Sequence, residues 1–289
     1  MNYVLVRRLC SFFSGLILSQ AGSLIQIGTR NILSSPSTLG IEGLSVLWIL
    51  CLHVFALTSG IETSLLFLAG LPVFVVVGLL LARLTGKDIR LESVLFVGLT
   101  FNLLVGAIFS LWQFFFLAFN LPFPMEIWFG HFRYVQESYI IVLFVFEVVL
   151  LIFLRGHWRN LSLYTLGSTL SRAFGADLQK LYKFLFIFAV CGTYLVLAMF
   201  GAFSFLGLLF PLVARKLWFD RFDLKGELAI GAVVNGLAFM VIDFLCYKFP
   251  VMGAEIPVGL IASVVGAVCL IGLIWRSTRG PEFLANTRK

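Results

Sequence analysis

Apolar runs follow one another along almost the whole chain, each near the length that crosses the hydrocarbon core of a bilayer, with short polar breaks between them. Nine crossings are predicted, near 9–28, 39–58, 64–82, 92–118, 138–154, 184–200, 201–214, 228–247 and 256–275. All should be helical, because a backbone in hydrocarbon must satisfy its own hydrogen bonds. The stretch from Phe184 to Ala214 is an uncharged, largely apolar run of 31 residues, too many for one helix and too few for two of roughly 20 residues each. Lys183 precedes it, and Arg215 and Lys216 follow it. If both ends lie on one side, the chain must return through a short or broken helix. Gly201, Gly207 and Pro211 supply the breakers. No low-complexity linker or domain break appears, so residues 1–289 read as one polytopic, all-α domain with about nine transmembrane helices.

Charge adds orientation to this picture. Seventeen of the 21 Lys and Arg residues fall on one side of the predicted topology, and four (Arg7, Arg8, Arg133 and Lys248) on the other. Basic loops face the cytoplasm, which predicts an external N-terminus and a cytoplasmic C-terminus. Composition agrees: 61% of residues are hydrophobic and 12% charged, against about 25% charged in a soluble globular protein. The net charge of +7 therefore speaks of membrane orientation, and no nucleic-acid partner is implied. The N-terminal run lacks a small-residue cleavage site and contains Gln20 and Gln26, so it reads as a retained span and not as a signal peptide. The five cysteines lie in apolar runs without a CxxC spacing and read as packing or lipid-facing residues.

Catalytic chemistry is not in sight. HExxH, GxSxG and GxxxxGK are missing, and Gly86-Lys87 has Leu81 where a phosphate loop needs its first glycine. His53, His131 and His157 fall in three separate regions, so no metal site is expected. Glu147 lies inside an apolar run and should face protein or water, as a hydrogen-bonded structural acid more than as a proton relay. Asn102, Gln113, Asn235 and Asp243 read as interhelical hydrogen-bonders. The longest polar segment runs from Arg155 to Lys183, and within it Leu161 to Tyr182 looks like two short amphipathic helices joined at Gly175. Composition leaves two readings of that pair open, an interfacial element on lipid or a docking element for a cytoplasmic protein.

Four motifs in order carry a resemblance. The first is Gln20-Ala-Gly-Ser-Leu-Ile-Gln26, then Arg30-Asn31-Ile-Leu-Ser-Ser-Pro36-Ser-Thr-Leu39-Gly40-Ile41. The second is Leu161-Ser-Leu-Tyr-Thr-Leu166-Gly167-Ser168, with Arg172-Ala173-Phe174-Gly175. Gly201-Ala-Phe-Ser-Phe205-Leu-Gly207-Leu-Leu-Phe-Pro211-Leu-Val-Ala-Arg215 is the third, and Asp243 with Glu255-Ile-Pro257-Val-Gly259 the fourth. Together they resemble the iron-chelate and vitamin B12 ABC permeases over almost the whole chain. Departures are Ile32 for the usual proline, Leu212 for the usual histidine, Ser168 for the acid after the coupling glycine, and no counterpart of the family's usual first span.

The resemblance implies a type II ABC importer permease fold in a bacterial inner membrane. It implies that the chain is not an enzyme and binds no cofactor itself, ATP and Mg belonging to two copies of a partner ATPase. Coupling to that ATPase is expected from about 161–180, through Leu166, Gly167, Ser168, Arg172, Ala173, Phe174 and Gly175. Arg7, with Arg8 beside it and Lys248, is expected to dock a periplasmic or lipoprotein substrate-binding protein. Gln26, Arg30, Asn31, Pro36, Gly40, Gly207, Pro211, Arg215, Asp243, Glu255, Pro257 and Gly259 are expected in structural roles. A second permease copy or a related permease completes the pathway, lipid surrounds it, and the expected cargo is a ferric siderophore, with haem or cobalamin next. A zinc or manganese permease would need oxygen or nitrogen ligands along its path. A polytopic membrane enzyme would need clustered acids or a metal motif.

The charge count makes a direct prediction. Reporter domains joined after Gly60 and after Arg279 should read as external and cytoplasmic respectively, and a cytoplasmic signal after Gly60 would overturn the orientation.

Overall fold

The computed structural model describes residues 2–59, 68–85, 91–119, 125–165, 171, 173–174, 177–203, 206–217, 224, 226–250 and 255–278. Among these, every regular element is helical: α1 (Tyr3–Thr29), α2 (Ile41–Ser59), α3 (Leu71–Thr85), α4 (Leu91–Ala118), the short α5 (Met125–Phe129), α6 (Glu137–Thr165), α7 (Leu178–Phe200), α8 (Leu206–Leu217), α9 (Ala232–Lys248) and α10 (Val258–Thr278). A π-helical turn, Gly226–Gly231, leads into α9. Among the described residues, each of the nine predicted runs contains helix, and five helices are long and apolar enough to cross a membrane: α1, α4, α6, α7, and α9 with its π turn.

Helix α1 is the centre of the bundle. It packs against α6, α7, α8 and α9 and is buried over most of its length despite carrying Ser11, Ser14, Ser19, Gln20, Ser23 and Gln26. Those polar groups are affordable only where protein surrounds them. By contrast, α4 projects Phe96, Leu103, Phe114 and Leu117 outward, a surface whose natural solvent is lipid.

Three boundaries differ from the sequence pattern. Helix α1 begins at Tyr3, well before position 9, because the Asn2 side chain caps it by accepting the Val4 N–H at 3.3 Å. Helix α6 runs on to Thr165, so Leu161 is not the start of a separate amphipathic helix. Gly156 is the lone breaker in that region, and a single glycine costs only about 1 kcal/mol and does not stop a helix. The return helix is short, as expected. Helix α7 ends at Gly201, with φ +85°, and α8 has only 12 residues, about 18 Å of helix against about 30 Å of hydrocarbon.

The contact between α1 and α8 explains two of the motif residues. Pro211 lacks the N–H that would bond the Gly207 carbonyl one turn back. That carbonyl is turned toward α1, where a Cβ on Gly22 would lie 1.8 Å from the oxygen and 3.0 Å from the Pro211 ring. Only glycine permits this approach. A similar contact joins α1 to α9, since a Cβ on Gly15 would come within 2.7 Å of the Phe239 Cβ.

Gly22→Val should therefore separate α1 from α8 and cost at least the 1–3 kcal/mol typical of overpacking, read as a lower unfolding midpoint in detergent. Gly156→Val should leave the midpoint unchanged, because nothing lies within 4 Å of a Cβ there.

Candidate functional site

Three polar clusters are strung along α1. At its first turns Arg7, only 3% exposed, is enclosed by two acids. Its Nε donates to both Asp243 oxygens at 3.1 and 3.0 Å, Nη2 to Asp243 Oδ1 at 2.8 Å, and Nη1 to Glu255 Oε2 at 2.7 Å. The guanidinium also lies 4.8 Å from the Tyr247 ring centre. The sequence reading puts Arg7 on the surface, and the structure instead buries it. The early start of α1 places Arg7 inside the bundle, and Asp243 of α9 and Glu255 before α10 have already consumed its charge. Arg8 is exposed beside Phe244, at 5.1 Å, and Lys248 is exposed at the end of α9. Arg133 stands on the same face, its carbonyl accepting the Tyr3 hydroxyl at 2.9 Å. Arg7, His131, Arg133, Glu255 and Pro257 line a cavity of about 120 Å³ there. Beside it the Gly259 N–H donates to Gly130 O at 3.2 Å, and a Cβ on Gly259 would come within 2.4 Å of Phe129 O.

At mid-helix, Gln20 Nε2 donates to Glu147 Oε1 at 3.0 Å and to Leu228 O at 3.2 Å. Glu147 is thus a hydrogen-bonded acid within the bundle. Leu228 belongs to the π turn, whose irregular backbone offers a carbonyl to a side chain. Nearby, Asn235 Nδ2 donates to Ser19 Oγ at 2.7 Å.

At the far end, Arg30 caps α1 in the left-handed conformation, φ +53°. Its guanidinium lies 4.4 Å from the Tyr164 ring centre, and Nη2 donates to Tyr164 O at 3.4 Å. The Tyr164 hydroxyl donates to Gly28 O at 3.2 Å and lies 2.8 Å from the Tyr182 hydroxyl. The loop to α2 is then wound on itself. Asn31 Oδ1 accepts the Leu33 N–H at 2.9 Å, Gly40 turns at φ +76°, and Asn102 of α4 accepts the Gly43 N–H at 3.2 Å while donating to Ser37 O. Gln26 Nε2 reaches Leu208 O at 3.4 Å, and the Pro36 ring sits 2.9 Å from where a Gly207 Cβ would be. Arg215 of α8 holds Glu227 of the π turn through Nε at 2.7 Å and Nη2 at 2.8 Å. A second cavity, of about 300 Å³, opens among α2, α4, α5 and α8, lined by Glu42, Asn102, Val46, Trp128, Ala202 and Leu208.

Of the expected coupling residues, Leu166, Gly167, Ser168, Arg172 and Gly175 lie outside the described residues. Ala173 and Phe174 are exposed, Phe174 at 62%. The neighbouring Ser171 is buried and donates to Leu163 O at 2.7 Å. Asp177 caps α7 by accepting the Lys180 N–H at 3.1 Å, which holds its carboxyl below the usual range. Among the described residues, no group of three His, Cys, Asp or Glu side chains is placed to hold a metal. Sequence reasoning named Arg215 and Arg30 but missed the partners that hold them. Glu227, an acid twelve positions past Arg215, and Tyr182 had no signal beyond their place in polar segments.

Comparison with known proteins agrees with this arrangement. The profile of the FecCD transport family matches residues 1–276. The iron(3+)-hydroxamate import system permease protein FhuG of Bacillus subtilis is 27% identical over 96% of this chain and 83% of its own. The petrobactin import system permease protein FatD of Bacillus anthracis is 26% identical over 94% of this chain and 80% of its own. A solved structure described as an inward-facing, metal-chelate type ABC transporter superposes with a TM-score of 0.75 at 20% identity, covering 94% of this chain and 86% of that one.

Breaking the Arg7 cluster should be costly. Arg7→Ala leaves Asp243 buried without its cation, a change worth about 3–5 kcal/mol, measured as a fall in the unfolding midpoint in detergent. Arg7→Met combined with Asp243→Leu should recover much of that loss, because no uncompensated charge then remains at their contact.

Proposed function

The chain belongs to the FecCD transport family, and on that premise we propose that it is the permease of an importer for ferric siderophores. It is a membrane-spanning ABC transporter permease and carries no catalytic machinery of its own; a separate ATPase supplies the energy. The observation that carries the cargo reading is the kinship with permeases named for iron-hydroxamate, petrobactin and, in Escherichia coli, ferric dicitrate. Relatives named for vitamin B12 keep cobalamin as the second reading. The pathway side of the proposal rests on the cavity beside Trp128. One wall is aromatic and aliphatic, while Glu42 and Asn102 supply polar groups, a surface suited to a bulky chelate that keeps its own ligands around the metal. A second permease copy, or a related one, closes that surface from the other side.

The N-terminus faces outward and the C-terminus inward in a bacterial inner membrane, following the charge distribution. Two copies of the ATPase seat on the segment around Ala173 and Phe174, whose exposed apolar ring is a natural knob for a groove. The binding protein meets Arg8 and Lys248, the two expected docking cations that remain exposed.

Vesicles holding this chain with its ATPase and binding protein should take up a labelled ferric hydroxamate only when ATP is supplied, and cobalamin uptake in its place would transfer the cargo assignment. Arg8→Glu with Lys248→Glu should weaken binding-protein association at low salt and matter less at high salt, as rim charges do. Undiminished association at low salt would remove both residues from the docking face.

A further inference from the structure

The segment proposed to seat the ATPase lies in the chain between the end of α6 and the start of α7. Its two feet are Tyr164 and Tyr182, and their hydroxyls meet at 2.8 Å. The direction of that bond follows from the next one. The Tyr164 hydroxyl has one proton and gives it to Gly28 O at 3.2 Å, and a carbonyl can only accept. Tyr182 is therefore the donor to Tyr164, and the chain runs Tyr182 to Tyr164 to the backbone of α1. Arg30 locks the other face of the same ring, lying 4.4 Å above it and donating to the Tyr164 carbonyl at 3.4 Å. The rings themselves meet edge to face at 5.5 Å. Tyr164 is buried to 2% exposure, whereas Tyr182 is only partly buried.

We propose that Tyr164, Tyr182 and Arg30 form a transmission joint: displacement of the ATPase-seating segment is passed through the two phenols to the end of α1, the helix on which the bundle is centred. The inference rests on the permease reading above. Packed cores and short hydrogen-bonded chains shift between discrete arrangements more readily than they stretch. A joint that closes both feet on one backbone carbonyl makes α1 move with the segment. From Arg30 the motion continues into the 31–40 loop, which Asn102 ties to α4 and to the cavity beside Trp128. The three side chains are positioning residues, since none of them touches that cavity.

The test uses vesicles holding the chain, its ATPase and its binding protein, with ATP hydrolysis and uptake of labelled ferric hydroxamate measured together. Tyr182→Phe keeps the ring and removes only the donor, and Tyr164→Phe removes the link to Gly28. Both should retain ATPase association and hydrolysis within about twofold of the native complex, while uptake per ATP hydrolysed falls at least fivefold. If Tyr164→Phe does not accumulate in the membrane, Tyr182→Phe decides, as it lies at the partly exposed end of the chain. An unchanged uptake-to-hydrolysis ratio overturns the joint alone. Loss of ATPase association overturns it also, by making these residues part of the docking surface. A native complex that hydrolyses ATP without moving any chelate or cobalamin overturns the transport reading and the joint with it.

Discussion

A polar helix in an apolar bundle must be covered on every side, and that requirement on α1 organises the molecule. Its serines, glutamines and Arg7 would each be expensive against hydrocarbon. Four helices surround it instead, and three of them bring polar or backbone partners. Asp243 and Asn235 come from α9, Glu147 from α6, Leu208 O from α8 and Tyr164 from the end of α6. Glycines at positions 15 and 22 then allow the neighbouring backbones to close in. Packing and polar pairing, not a hydrophobic driving force, hold helices together inside a membrane. Here both are concentrated on one helix.

The same arrangement accounts for the irregular backbone near the Arg30 end. The π turn at Gly226–Gly231 provides Leu228 O to Gln20 and carries Glu227 to Arg215. The short α8, with its internal proline, presents Gly207 to Gly22. Broken and non-α segments are tolerated at membrane depth where protein supplies the missing partners, and α1 supplies them to both. Irregularity and centrality are thus two sides of one contact set, which joins the short α8 and the π turn to the helix at the middle of the bundle.

At the other end the logic is electrostatic. One guanidinium serves two carboxylates, with Glu255 more accessible than Asp243. The cluster ties α1, α9 and the approach to α10 together beside a small cavity that Arg133 also reaches. Arg8, Arg133 and Lys248 are exposed cations on that face, beside the buried ion cluster.

Much of this was legible in the amino-acid order. Hydrophobic run length fixed helices and their approximate positions, since a bilayer sets the length of what crosses it. The 31-residue apolar stretch with basic ends required a short return, and Gly201 and Pro211 marked where it breaks. Motif order identified the kinship, and Glu147, Asn102, Asn235 and Asp243 were readable as hydrogen-bonders because a polar residue in an apolar run needs a partner. Which partner it takes was not readable. Arg7 looked like a free surface charge until the Asn2 cap drew it into the helix and Asp243 and Glu255, more than 230 positions away, closed on it. Tyr164 and Tyr182 were ordinary aromatics until α6 and α7 brought their hydroxyls together over the end of α1. Local pattern determines which segments become helices. The pairing of side chains across helices depends on rotation, register and close approach, and those quantities exist only once the bundle is assembled.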